Sequence, residues 1–172
     1  MRSITQARAR GERAAQSLLD RYPNLKVPIP IKEIAIAEGC KVTAMPLDDE
    51  LSGMAFVKDD RKIIVYNSAH HSNRQRFTIA HELGHHTMHR LSGVHVDKGI
   101  LRRDLTSAAG IDSKEIEANA FAATVLMPSS LIAAYTLGGI DLENDRLVSN
   151  LARTFGVSAT ALTNRILNLS SL

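Results

Sequence analysis

The sequence predicts an α+β domain, a small and mostly antiparallel sheet of three strands packed on helices, followed by a helical C-terminal segment. Helical apolar spacing, interrupted by Pro or Gly, recurs over residues 5–21, 31–38, 73–91, 112–127 and 147–167. Short β-rich runs cluster between residues 40 and 66. Aromatics make up only 4% of the 172 residues and Trp is absent, so the core must be mostly Ala, Leu, Ile and Val. That composition suits helices around a small sheet.

The first helix, residues 5–21, carries a stripe of Ala7, Ala14, Ala15, Leu18 and Leu19. Pro23, Pro28 and Pro30 then impose an extended linker, because proline disfavours helix at and before its own position. Ile31 to Glu38 is a short second helix stopped by Gly39, which can adopt the left-handed conformation that closes a helix. Three strands follow at Cys40–Ala44, Leu51–Val57 and Lys62–Tyr66, the last two joined as a hairpin through Lys58-Asp59-Asp60-Arg61. The run Ile63-Ile64-Val65-Tyr66 fits a strand covered on both faces, though an edge that pairs with an extended peptide is also open.

Ser72 and Gln75 have the spacing of a capping box, predicting a helix from about Asn73 to His89 or Leu91. Residues 92–110 read as a long charged loop, either a cover for a cleft or disordered. Asp112 opens the next helix and Pro128 ends it. After Gly138-Gly139, two short helices flank Phe155-Gly156-Val157-Ser158. We expect residues 1–135 to form the main domain and 136–172 a small helix-turn-helix-like subdomain.

Charged residues make up 23% and hydrophobic residues 44%, as in ordinary globular proteins. A net charge of +3 gives little footing for nucleic acid. The lone Cys40 excludes an intrachain disulfide and fits a reducing compartment. Arg2, Arg8, Arg10 and Arg13 precede no apolar stretch, so the N-terminus reads as a basic helix rather than a secretory signal. A cytoplasmic protein that does not enter membranes is expected.

The chemistry is concentrated at His81-Glu82-Leu83-Gly84-His85, an H-E-x-x-H pattern. Residues four apart share a helix face, so both imidazoles can address one metal ion, with Glu82 beside them to reach a water. At about 100° per residue His85 and His89 fall within roughly 80° of His81, while Ala80, Leu83 and Thr87 lie opposite for packing. A catalytic zinc takes three protein ligands and leaves one position open. The third is sought on the helix after Asp112, where Glu115 shares a face with Ala118, Asn119 and Ala122, while Glu117 projects elsewhere. Glu115 is preferred to Glu117, the competing reading being a capping glutamate paired with Asp112. Asn119 is placed to bond the outer nitrogen of a ligand histidine. An oxyanion also needs a donor. Tyr66 and His89 are candidates, with His95, Arg102 and Tyr135 behind them.

The H-E-x-x-H, the preceding Arg76-Phe77-Thr78-Ile79-Ala80, the strand at 63–67, and Glu115 through Ala123 with Leu126-Met127-Pro128 together resemble the ImmA/IrrE family of zinc metallopeptidases. The resemblance runs from about Pro28 to Pro128 and implies a zincin-like core. It also implies one zinc ion held by His81, His85 and Glu115, with Glu82 catalytic. Several members of that family cut a helix-turn-helix repressor to release stress or mobile-element genes, which implies a protein substrate of that kind. His86 departs from the family pattern, where an apolar residue is expected. The other function classes are a DNA-binding or protein-binding regulatory module with a non-catalytic zinc. The segment around Phe155-Gly156-Val157-Ser158 supports the DNA-binding alternative in form. However, Arg165 is the sole long basic residue on its second helix, so direct nucleic-acid binding is not expected.

Overall fold

Helix α1 (Arg2–Leu19) is followed by α2 (Ile31–Ala37), β1 (Cys40–Met45), β2 (Gly53–Lys58), β3 (Arg61–Asn67) and α3 (Ser72–Met88). Next come β4 (His95–Asp97), α4 (Ser113–Leu126), α5 (Ser129–Thr136), α6 (Asp145–Phe155) and α7 (Ala159–Ser170). This is a computed structural model, and it describes residues 2–91, 93–97, 112–137 and 139–170. The anticipated 92–110 loop falls largely outside those residues, as does Arg102.

The sheet corrects the expectation of three mostly antiparallel strands. Among the described residues it has four, in the order β1-β3-β2-β4, and it is mixed. β3 is central and pairs parallel with β1 and antiparallel with β2, which is where an unbroken apolar run belongs. Ile64 and Val65 are buried there, and β3 is not an edge. The β2–β3 hairpin closes between Lys58 and Arg61. Asp59 and Asp60 both take positive φ, 50° and 60°, as a two-residue primed turn requires, and Asp tolerates that region better than most residues. The fourth strand, β4, pairs antiparallel with β2, setting Ala55 against His95. Three residues with a single valine carry no readable alternation. β4 exists because β2 offers it an edge.

α3 packs on β2 and β3, α4 packs on α3, and α1 packs on α4. Small residues permit the close approaches. A Cβ at Gly11 of α1 would run into the backbone carbonyl of Glu117, and one at Gly84 of α3 would touch the Phe121 ring at 3.0 Å. Phe121, Ala122 and Val125 of α4 join Ala15 and Leu18 of α1, Ile79 and Leu83 of α3, and Ile64 of β3 in one core.

Val148, Ala152, Phe155, Val157 and Leu162 of the C-terminal segment belong to that same core. Gly156, at φ 65°, makes the turn between α6 and α7, and Ser158 Oγ accepts the Ala161 N–H at 3.1 Å to start α7. Two residues of α3 grip this turn. Asn73 donates to the Val157 carbonyl at 2.9 Å, and Arg76 donates to the carbonyls of Gly156 (3.1 Å) and Ile29 (2.8 Å). Arg165 points inward, donating to the Met127 carbonyl at 3.2 Å and facing Glu12 at 3.3 Å.

Candidate metal centre

α3 is buried from Thr78 through His86, between the sheet on one side and α4 on the other. Its start differs from the expected capping box. His71 is the cap, its Nδ1 accepting the Asn73 N–H at 3.2 Å, while the Gln75 amide donates to the carbonyls of Ser68 and His70. Gln75 therefore secures the loop that enters the helix and does not reach back to Ser72. Thr87, assigned to the packing side, is exposed, and its hydroxyl donates to the Leu83 carbonyl at 2.7 Å. His86 finds a structural role: Nε2 donates to the Ile63 carbonyl at 2.9 Å and so ties α3 to the central strand. Burial lowers its pKa and keeps it neutral for that bond.

On the other face of α3 the side chains of His81, His85 and Glu115 converge, together with His95 from β4. The Nε2 atoms of His81 and His85 are 3.1 Å apart. Glu115 places one oxygen 3.5 Å from His81 Nε2 and the other 3.5 Å from His85 Nε2. His95 Nε2 is 3.6 Å from Glu115 Oε1 and 3.9 Å from Glu82 Oε2. Ligands about 2.0–2.1 Å from a tetrahedral zinc are separated from one another by roughly 3.3 Å. The spacings bracket that value, and the donor set of imidazole and carboxylate is one that zinc accepts. The residues present fit the ion.

The far sides of the imidazoles are also held. His81 Nδ1 lies 3.1 Å from Asn119 Oδ1, so it carries the proton and leaves Nε2 a lone pair. His85 Nδ1 lies 3.0 Å from His89 Nδ1, and His89 Nε2 lies 2.8 Å from Glu117 Oε2. Glu117 in turn accepts from Arg10 Nε of α1 at 2.7 Å. One consistent set of protons runs through this chain: His85 donates to His89, and His89 donates to Glu117. Again Nε2 of His85 is left bare. Both ring nitrogens that face the cluster are thus lone-pair donors.

The electrostatics favour a cation at this point. Burial first, then the neighbouring His81 and His95, push the His85 pKa down to about 2. Burial would also lower His81, but the carboxylates of Glu115, Glu82 and Asp97 outweigh it and raise the pKa. A positive charge is therefore favoured at one place in the cluster, amid three carboxylates. A metal ion can supply it without asking a buried imidazole to hold a proton.

Of the residues singled out in the sequence, His81, Glu82, His85, Glu115 and Asn119 are gathered here. His89 sits behind His85, turned to Glu117, and Glu117 takes that partner while Glu115 takes the cluster. Tyr66 lies in the main core with Lys32 Nζ 6.0 Å from its ring, and half-exposed Tyr135 stacks edge-on against Phe155. His95, in the sequence only one possible oxyanion donor among several, is the addition that the structure makes to the cluster. Its sole signal was being one more histidine downstream, because the contact that brings it in is the β2–β4 pairing.

An H-E-x-x-H helix lying on a mixed sheet, with a glutamate delivered by the next helix, is the arrangement of a zincin-like α+β domain. The sequence profile of the IrrE N-terminal-like domain, a metallopeptidase family, matches residues 36–167, and the chain belongs to that family. It is also 31% identical over 124 residues to a protein of Bacillus phage phi105 described as "Uncharacterized immunity region protein 2", covering 71% of each chain. The His/Glu cluster is compatible with the metallopeptidase character of the family.

Proposed function

We propose that this protein is a zinc-dependent endopeptidase of the cytoplasm. Its substrate would be one specific protein, a helix-turn-helix transcriptional repressor, in a stress-response or mobile-element circuit. The observation that carries the reading is the convergence of His81, His85 and Glu115 donor atoms at zinc-like spacing, with the buried Glu82 carboxylate beside them. In their proposed roles His81, His85 and Glu115 hold the ion, while Asn119 and His89 fix the two rings in the tautomer that presents Nε2. Bound by these residues, a zinc ion would lower the pKa of a coordinated water towards about 7 and polarise a carbonyl. Glu82 accepts the proton of the attacking water and passes it to the departing amine.

Family membership supports the peptidase chemistry, and the immunity-region description of the phage relative supports a repressor as substrate. The inward turn of Arg165 favours packing or substrate contact, rather than DNA binding, for the 136–172 segment. The test is Glu82→Gln beside wild type, both loaded with zinc and incubated with candidate repressors from the same cell. The variant should keep its zinc and lose cleavage by about 10²–10⁴-fold, the usual worth of a positioned general base. Equal cleavage by the two proteins would end the peptidase reading.

A further inference from the structure

We propose that His95 is a fourth protein donor to the same metal site, mounted on a detachable edge strand, so that the described conformation is a capped, resting one. This rests on the zinc reading of His81, His85 and Glu115. The ligating atom of His95 lies within 4.8 Å of those of the other three, the same limit that they meet among themselves. Its ring centroid is 3.8 Å from that of His85 and 6.0 Å from that of His81. With Nε2 at 3.6 Å from Glu115 and 3.9 Å from Glu82, the imidazole stands between a proposed ligand and the proposed base. That is where a water deprotonated by Glu82 would sit. Four protein donors make a closed site, whereas a catalytic zinc needs one position open.

The strand that delivers His95 is built to leave. Among the described residues β4 spans His95–Asp97, all partly exposed, and pairs with β2 through Gly53–Asp97, Met54–Val96 and Ala55–His95, with one further bond from the Ser52 N–H to the Asp97 carbonyl at 2.9 Å. A ladder this short, at the end of the sheet among the described residues, is among the weakest units of a sheet, since few residues share the cost of ordering it. Its departure would expose the β2 edge at Gly53–Ala55, next to the open metal position. An extended segment of a protein substrate can take that edge by strand addition. The same event that admits substrate would then remove the capping imidazole, which restrains the enzyme until the right protein arrives.

The experiment compares wild type, His95→Ala and His95→Cys in the full chain, with circular dichroism to verify folding. Zinc affinity is read by competition with a chromophoric chelator and geometry from the visible spectrum of the Co²⁺ forms. His95→Ala should bind zinc at least about tenfold more weakly, the cost of one lost ligand contact in the range known for supporting groups. Its Co²⁺ bands should weaken as water raises the coordination number. His95→Cys should restore intense bands and add a near-ultraviolet thiolate-to-cobalt charge-transfer band, which decides the matter if the alanine variant folds poorly. Unchanged affinity and spectrum in His95→Ala, or no charge-transfer band in folded His95→Cys, would overturn the assignment while leaving the three-ligand site intact. Wild type that binds no zinc would instead overturn the proposed function itself.

Discussion

Replacing His89 by Phe should weaken zinc binding while leaving the three proposed ligands in place. In the proton arrangement that leaves His85 Nε2 bare, His89 Nδ1 accepts a hydrogen bond from the His85 Nδ1–H at 3.0 Å and the His89 Nε2–H donates to Glu117 at 2.8 Å. A phenyl ring fills the space but accepts nothing, so the His85 N–H is left buried without its partner. An unsatisfied buried donor costs about 1–3 kcal/mol. Lost outer partners of metal-bound histidines typically lower metal affinity 10–100-fold, which is about 1.4–2.8 kcal/mol. The two routes agree. The assay is chelator competition on the purified full chain, with circular dichroism to confirm that α3 persists. The effect should shrink outward along the chain of bonds. Arg10 is half exposed, so Arg10→Ala loses a solvent-screened pair worth about 0–1 kcal/mol. A folded His89→Phe protein whose zinc affinity stays within about twofold of wild type would refute the reasoning.

Two further outcomes concern the scaffold. Gly11→Ala should destabilise the fold by about 1–3 kcal/mol in chemical denaturation, because the new methyl meets the Glu117 backbone carbonyl of α4. The gain of about 1 kcal/mol that alanine normally brings to a helix cannot offset a clash that separates two helices. A more stable Gly11→Ala variant would contradict the close α1–α4 packing. Burial also pushes the Cys40 thiol up to about 11, so it should react with thiol reagents only at the rate of local opening, and fast labelling of folded protein would count against its placement. The sign for stability follows. The folded pKa exceeds the unfolded one, so this contribution is full below the ordinary thiol pKa and declines as pH rises through about 11. Cys40→Ala should flatten that alkaline decline.

What the sequence made legible was whatever lies within one helix. His81, Glu82 and His85 are fixed by helical spacing alone, and Glu115 with Asn119 by the phase of the next helix. Phase also favours Glu115 over Glu117 without excluding a capping role, and the two side chains do point to different neighbours, Glu115 to His81 and His85 and Glu117 to His89. What stayed hidden depends on contacts between distant segments. His86 looked anomalous until the Ile63 carbonyl was found within reach. β4 owes its existence to the β2 edge, and with it the arrival of His95. The helix cap differs from the expected one for a similar reason. Ser72 and Gln75 have the right spacing, yet the loop carbonyls of Ser68 and His70 compete for the Gln75 amide and win.

The reach of Arg10 bears on where this protein can be cut. The family match begins at residue 36, after α1 has ended. Yet α1 supplies the outermost link behind His85 and packs along α4, with Ala15 and Leu18 in the common core. A fragment trimmed to the matched residues would keep every proposed ligand. It would also bare an apolar helix face and leave Glu117 without its arginine. Sequence similarity therefore marks out the chemistry more narrowly than the structure does, and the smallest autonomous unit of this protein should include its first helix.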